Sequence, residues 1–135
     1  MRNLEKYKGV IPAFYACYDK EGNISPEGVQ GLTKYFVKKG VKGVYVNGSS
    51  GECIYQSVED RKIVLENVMK VAEGKLTVIA HVACNNTKDS QELARHAEGL
   101  GVDAIAAIPP IYFHLPEYAI AQLSLIHISE PTRLR

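Results

Sequence analysis

The chain has 135 residues, of which 46% are hydrophobic and 23% charged, a composition typical of one soluble globular domain. Its formal net charge of +1 gives no electrostatic reason to expect binding to nucleic acid or to an anionic membrane. No apolar run approaches the roughly 20 residues that span a bilayer, and Met1–Lys6 lacks the apolar stretch of a signal peptide. We therefore expect a cytoplasmic protein with no membrane segment.

Short apolar runs of the strand type alternate along the chain with stretches of helical periodicity. The four runs are Val10–Phe14, Gly43–Val46, Leu76–Val82 and Ala104–Ile108. Each is brief and is bounded by glycine, proline or polar residues, as expected of buried strands. The pattern predicts four strands separated by helices.

The helices between these runs have recognisable first residues. Ser25 is predicted to cap the first helix, with proline and glutamate after it, and Ser57 to cap the second, with acidic residues in its first turn. Thr87 is predicted to cap the third, and a fourth is expected to begin near Pro116 and Glu117. Four β-α units in series imply an α/β fold with a parallel sheet. Either a doubly wound sheet or half of a (β/α)8 TIM barrel fits, since a whole barrel takes about 250 residues.

The segment that follows the second run carries the strongest chemical signal. Gly48-Ser49-Ser50-Gly51-Glu52 places two adjacent hydroxyls between glycines, directly after a buried strand. Glycine lets the backbone approach a ligand closely, and the hydroxyls and free N–H groups suit a small carboxylate or phosphate. The alternative is a polar β–α turn that binds nothing.

Other polar residues favour structural interpretations. His81, near the end of the third run, is expected to be packed and hydrogen-bonded inside the protein, because the nearby sequence offers no carboxylate partner. Glu52 is expected to hold its loop by accepting backbone N–H bonds rather than to act as a general base. The three cysteines have neither metal-site nor disulfide-framework spacing and are expected to be ordinary thiols. No metal site is predicted.

The last thirteen residues, 123–135, depart from the helical pattern that begins at Pro116. Their sequence is similar to the conceptual translation of a transposase-type sequencing adaptor. We therefore expect a natural domain over residues 1–122, with the reading frame interrupted near Gln122. The alternative is a genuine C-terminal strand with alternating apolar residues.

Three segments together resemble the pyruvate-dependent class I aldolases, the family of N-acetylneuraminate lyase and dihydrodipicolinate synthase. They are Gly43–Glu52, Ala80–Thr87 and Ile108–Phe113, and the resemblance covers about residues 8–122. Within the family, the continuation Glu52–Ser57 looks most like the lyase members. The resemblance implies a TIM barrel, a homotetramer, no cofactor, and retro-aldol cleavage of N-acetylneuraminate to N-acetylmannosamine and pyruvate through a lysine Schiff base.

The resemblance also implies roles for particular residues. Ser49 and Ser50, with Gly48, match the site that binds the substrate carboxylate, and Ser49 matches the hydroxyl that supports the proton relay. Tyr112 aligns with a tyrosine near a subunit boundary that completes a neighbour's relay in synthase members; the alternative is an aromatic side chain packed in a loop. The Schiff-base lysine and the relay tyrosine of the family fall in segments that this chain lacks.

No other lysine of the chain is predicted to replace the nucleophile. Each lies on a predicted helix, in a loop, or before a strand at the face opposite to the expected chemistry. We therefore expect the chain as written to be inactive as an aldolase. A dihydrodipicolinate synthase-like aldolase and a non-catalytic half-barrel that binds carboxylates remain the alternative functions.

Overall fold

The computed structural model describes residues 4–112 and 114–129, with the backbone alone for 125–129. Three strands form one parallel sheet in chain order: β1 (Gly43–Val46), β2 (Thr77–His81) and β3 (Ala104–Ala106). Four helices accompany them: α1 (Pro26–Lys39), α2 (Val58–Ala72), α3 (Thr87–Gly99) and α4 (Glu117–Ser129). The predicted α/β class and parallel sheet are therefore confirmed.

The first apolar run does not form a regular strand, which corrects one expectation. It lies beside β1 through one parallel bridge between Ala13 and Tyr45. The Phe14 N–H donates to the Tyr45 carbonyl at 2.8 Å, and the Tyr45 N–H donates to the Pro12 carbonyl at 2.9 Å. Because Pro12 has no N–H, the hydrogen-bond ladder loses a donor here. The segment therefore extends the sheet as an irregular edge.

Local capping explains where the helices begin. The Ser25 hydroxyl accepts from the Gly28 N–H at 3.1 Å, and Ser57 forms a reciprocal capping box with Asp60. The third cap is Asn86 and not Thr87, since the Asn86 side-chain oxygen accepts from the Asp89 N–H at 2.8 Å. An Asx cap one residue earlier satisfies the same first-turn donor, so the predicted helix is right and its cap is wrong.

The core lies between the helices and one face of the sheet. Val44 and Val46 of β1 pair in register with Val78 and Ala80 of β2, and all four are buried in one cluster with apolar residues of the helices. Glycine at position 43 is required by close strand contact, because a Cβ there would meet the Thr77 carbonyl. The opposite sheet face carries the half-buried Tyr45 and Ile79 and the buried His81.

Helix α4 continues to Ser129, beyond the point at residue 123 where the sequence pattern changes. This contradicts the alternative of a C-terminal strand up to that residue. Residues 130–135, the rest of the predicted adaptor segment, lie outside the described part of the chain.

The N-terminal segment is attached near the amino end of β3. Lys6 pairs with Asp103 at 2.9 Å, and the Tyr7 hydroxyl donates to the Asp103 carbonyl at 2.7 Å.

Candidate active site

The loops that follow the three strands meet at the carboxyl edge of the sheet, where parallel α/β folds place their ligand sites. The loop after β1 carries the Gly-Ser-Ser sequence. Its residues Ser49–Gly51 form a 3₁₀ turn, closed by the Gly51 N–H donating to the Gly48 carbonyl at 3.0 Å. The Glu52 N–H donates to the Ser49 carbonyl, also at 3.0 Å. The predicted loop is therefore an ordered turn.

Both predicted hydroxyls are available to a ligand. Ser49 and Ser50 are exposed, whereas Gly48 beneath them is buried. Among the residues that the structure describes, no hydrogen-bond partner satisfies either hydroxyl or the backbone N–H of either serine. Two hydroxyls and two N–H groups on adjacent residues are thus without a partner in the described structure, as the predicted carboxylate site requires.

The turn has an unusual backbone at its entry and exit. Asn47 and Glu52 both adopt positive φ, at 60° and 55°, a region that asparagine tolerates better than most residues do. Gly48 has an ordinary φ of −82°, yet a Cβ there would lie 2.6 Å from the Tyr45 ring. Glycine is therefore needed at 48 for close contact with Tyr45, not for its φ.

A buried arginine beneath the turn was not predicted from the sequence. Arg61 of α2 is 2% exposed, and its guanidinium donates to the carbonyls of Ala83 at 2.9 Å and His81 at 2.7 Å. It also donates to the Cys84 sulfur at 3.1 Å, while its Nε atom is buried without a partner in the described structure. No carboxylate of the described chain pairs with it, so Arg61 uses its charge to hold the end of β2.

His81 is packed and bonded as predicted. The side chain is 4% exposed, and its Nδ1 lies 3.0 Å from the Asn47 carbonyl, which can act only as an acceptor. Nδ1 therefore carries a proton. Burial and the Arg61 charge both lower the pKa of His81, while the bond to Asn47 opposes them. The imidazole is thus held neutral near pH 7.

Glu52 does stabilise the loop, but not through backbone N–H groups as expected. Its carboxylate accepts from the Tyr18 hydroxyl at 2.8 Å, and Gln56 donates to the Gly51 carbonyl at 2.9 Å. The Tyr18 contact links the turn to the loop that precedes α1, and the Gln56 contact holds the turn to the rest of its own loop.

Tyr112 does not join the serines within this chain. The residue lies in the loop after β3 and is 82% exposed. The adjacent residue of the motif, Phe113, lies outside the described residues. None of the three described strands contains a lysine, and Lys42 and Lys75 precede β1 and β2, as expected.

A cleft of about 220 Å³ lies beside the turn, between the loops after all three strands. The cleft is lined by residues that include Cys53, Arg61, His81, Cys84 and Ile108, whereas Ser49 and Ser50 do not line it.

All three cysteines are free thiols, and burial raises the pKa of Cys84. No cluster of His, Cys, Asp or Glu suited to a metal ion occurs within residues 4–112 and 114–129. Over the same residues, no helix is long and apolar enough to cross a membrane.

Comparison with known proteins identifies the relatives of this arrangement. A model of the dihydrodipicolinate synthetase family matches residues 6–124. N-acetylneuraminate lyases from Citrobacter koseri and Enterobacter sp. are 40% and 38% identical over 78% and 81% of the chain. These matches cover 36% and 37% of the two lyases, so the chain spans well under half of their length.

Solved structures give the same result. A Ruminococcus gnavus sialic acid aldolase, in a form mutated at its catalytic lysine, shares 92% identity and a TM-score of 0.96, covering 98% of this chain and 44% of that one. N-acetylneuraminate lyase from Mycoplasma synoviae shares 34% identity and a TM-score of 0.90, covering 96% of this chain and 45% of that one. These neighbours are TIM barrels, so the half-barrel architecture is confirmed and the doubly wound sheet is excluded.

Proposed function

Since the chain belongs to the dihydrodipicolinate synthetase family, we propose that it supplies the carboxylate-binding half of an N-acetylneuraminate lyase. The observation that carries the proposal is the 92% identity between this chain and a sialic acid aldolase, over 98% of this chain. The whole protein would cleave N-acetylneuraminate to N-acetylmannosamine and pyruvate. The lyase is favoured over a synthase because a dihydrodipicolinate synthase structure shares 28% identity and a TM-score of 0.81, below both values for the aldolase.

In this proposal the turn after β1 holds the carboxylate of pyruvate or of the sugar acid. The hydroxyls and N–H groups of Ser49 and Ser50 donate to its two oxygens. Gly48, which has no side chain, lets the ligand approach the backbone closely. Ser49 also supports the proton relay. A carboxylate fixed in this way places the adjacent ketone carbon at a set distance from the sheet edge, ready for attack by an amine.

The amine itself is the missing component. A Schiff-base lysine must be desolvated, so that its neutral form is available, and no described strand offers one. We therefore propose that this chain binds carboxylate and does not cleave a carbon–carbon bond. No cofactor is needed, because in the whole protein the iminium formed on lysine would accept the electron pair. A homotetramer located in the cytoplasm, with Tyr112 at a subunit boundary, completes the proposal.

Pyruvate titration of the ¹⁵N-labelled chain, followed by amide chemical shifts, tests the proposal. We expect shifts centred on residues 48–51, with Ser49→Ala and Ser50→Ala each weakening binding about tenfold through loss of one charge-assisted hydrogen bond. Ser124→Ala, on α4, is the matched control. Borohydride treatment with pyruvate should add no mass. Absence of shifts in the turn would refute carboxylate binding, and a covalent adduct or a lyase rate would refute inactivity.

The boundary near Gln122 is a proposal of its own. The family match ends at residue 124, close to the predicted end of the natural domain. Sequencing the unfragmented source DNA across codon 122 tests it. A frame that continues into a Tyr-Asn-Ile-Pro segment and a strand lysine supports an adaptor origin for residues 123–135. A frame that ends at Arg135 would instead favour the non-catalytic half-barrel.

A further inference from the structure

The peptide group that enters the Gly-Ser-Ser turn is fixed from both sides. Asn47 has a positive φ of 60°, which is uncommon for a residue other than glycine although asparagine tolerates it. Its side-chain amide donates to the Arg61 carbonyl at 2.8 Å, and its own carbonyl accepts from His81 Nδ1 at 3.0 Å. Asn47 is thereby attached to α2 through its side chain and to β2 through its backbone.

The bond from His81 controls the direction of the next residue. The carbonyl of Asn47 and the N–H of Gly48 belong to one planar peptide group. Fixing the carbonyl oxygen therefore constrains the direction of the Gly48 N–H, at the residue that directly precedes the turn. The Gly48 carbonyl in turn accepts from the Gly51 N–H, which closes the turn that carries both serines.

His81 is itself held in place by the buried arginine. The Arg61 guanidinium donates to the His81 carbonyl at 2.7 Å, and its Nη2 atom lies 3.5 Å from the His81 Nδ1. Both partners of that second contact carry protons, so the imidazole proton is directed to the Asn47 carbonyl. The end of β2 and the turn after β1 are thus joined by one continuous set of contacts.

We propose that His81 is a positioning residue for the carboxylate-binding turn, with its Nδ1–H holding the Asn47 carbonyl and so orienting Gly48, Ser49 and Ser50. The inference rests on the proposed function for the identity of the ligand. The geometric part concerns this chain alone. It predicts that the donor at the Nδ1 position is required, not merely a polar or bulky side chain.

Two near-isosteric substitutions separate the donor from bulk and polarity. His81→Asn places an amide N–H where Nδ1 lies, whereas His81→Gln places it near the Nε2 position. We expect His81→Gln to speed hydrogen exchange of the Gly51 and Glu52 amides about tenfold, as for loss of one buried hydrogen bond. His81→Asn should stay within about twofold of the wild-type rate.

Two further measurements complete the test. His96→Leu removes a contact to Glu66 between α2 and α3, so it controls for general loss of stability and should leave the turn amides unchanged relative to global exchange. Nitrogen NMR of the wild-type imidazole should show a protonated Nδ1 in the neutral ring. A wild-type ring protonated at Nε2 alone would overturn the proposal even if a variant failed to fold. Equal exchange in the folded Asn and Gln variants would overturn it as well.

Pyruvate binding gives the functional measure. Its dissociation constant should rise about tenfold in His81→Gln and recover in His81→Asn, since the same hydrogen bond is lost and restored. If the wild-type chain binds no pyruvate while the turn amides respond as predicted, carboxylate binding fails and the positioning role stands. If pyruvate binds equally to all variants with unchanged turn amides, the positioning role fails alone.

Discussion

Replacing Arg61 by methionine should destabilise the chain substantially, although it removes a buried charge. Arg61→Met leaves the carbonyls of His81 and Ala83 without their donor. A hydrogen bond to a charged group contributes about 1.5–3 kcal/mol, so the two bonds together contribute about 3–6 kcal/mol. The loss falls at the junction of β2, α2 and the candidate site.

The desolvation of the guanidinium opposes this loss. A buried ion without a counter-charge carries a penalty of several kcal/mol, and an apolar replacement removes it. Guanidinium is weakly hydrated, however, and each carbonyl left unpaired in the interior costs about 1–3 kcal/mol of its own. We therefore expect the hydrogen-bond loss to dominate, with a net decrease of about 2–4 kcal/mol in the free energy of unfolding.

Urea unfolding followed by circular dichroism measures the effect. Arg95→Met is the matched control, because Arg95 is exposed on α3 and should change stability by no more than about 0.5 kcal/mol. Arg61→Lys keeps the charge but loses the planar fork that reaches two carbonyls, so it should also destabilise. A neutral or stabilising Arg61→Met would show that desolvation outweighs the hydrogen bonds and would refute the reasoning.

Three further features are each tested by a substitution. Gly43→Ala should lower the free energy of unfolding by about 1–3 kcal/mol, because the new Cβ would clash with β2. Gly31→Ala on α1, where the space is open, should instead raise it by about 0.5–1 kcal/mol. Equal effects of the two substitutions in thermal melts would contradict the close strand contact. Ser57→Ala should cost about 1 kcal/mol in urea unfolding by removing the α2 cap, and an unchanged midpoint would argue against it. The lowered pKa of His81 means that the unfolded chain binds more protons below about pH 6.5. Stability should therefore be lost as pH falls from 6.5 towards the folded pKa, and His81→Asn should flatten this slope.

Helix starts were predictable because their signals are local. The caps at Ser25 and Ser57 satisfy first-turn donors within the same few residues, so the sequence alone identifies them. At the third helix the prediction named Thr87, one residue after the actual cap Asn86, because both residue types can cap a helix. The first apolar run was predicted as a strand but forms an irregular edge. The effect of Pro12 on the hydrogen-bond ladder is apparent only once the neighbouring strand is known.

The buried arginine shows where local reasoning ends. A charged residue on an amphipathic helix is ordinarily assigned to its solvent face. Arg61 nevertheless lies at helical spacing from Val64, Leu65 and Val68, on the buried side of α2. That spacing was the signal in the sequence that could have indicated its burial. Its purpose depends on carbonyls at the end of β2, distant along the chain, which no helical pattern can indicate.

The matching of strand order to chain order bears on how the protein folds during synthesis. Each strand pairs with the strand that precedes it in the chain, so every β-α unit leaving the ribosome meets an edge already formed. The exception is the N-terminal segment, whose Lys6 and Tyr7 depend on Asp103 beside β3. The first residues to be synthesised would thus be among the last to form their native contacts. Until they do, the amino edge of the sheet stays accessible to chaperones and proteases.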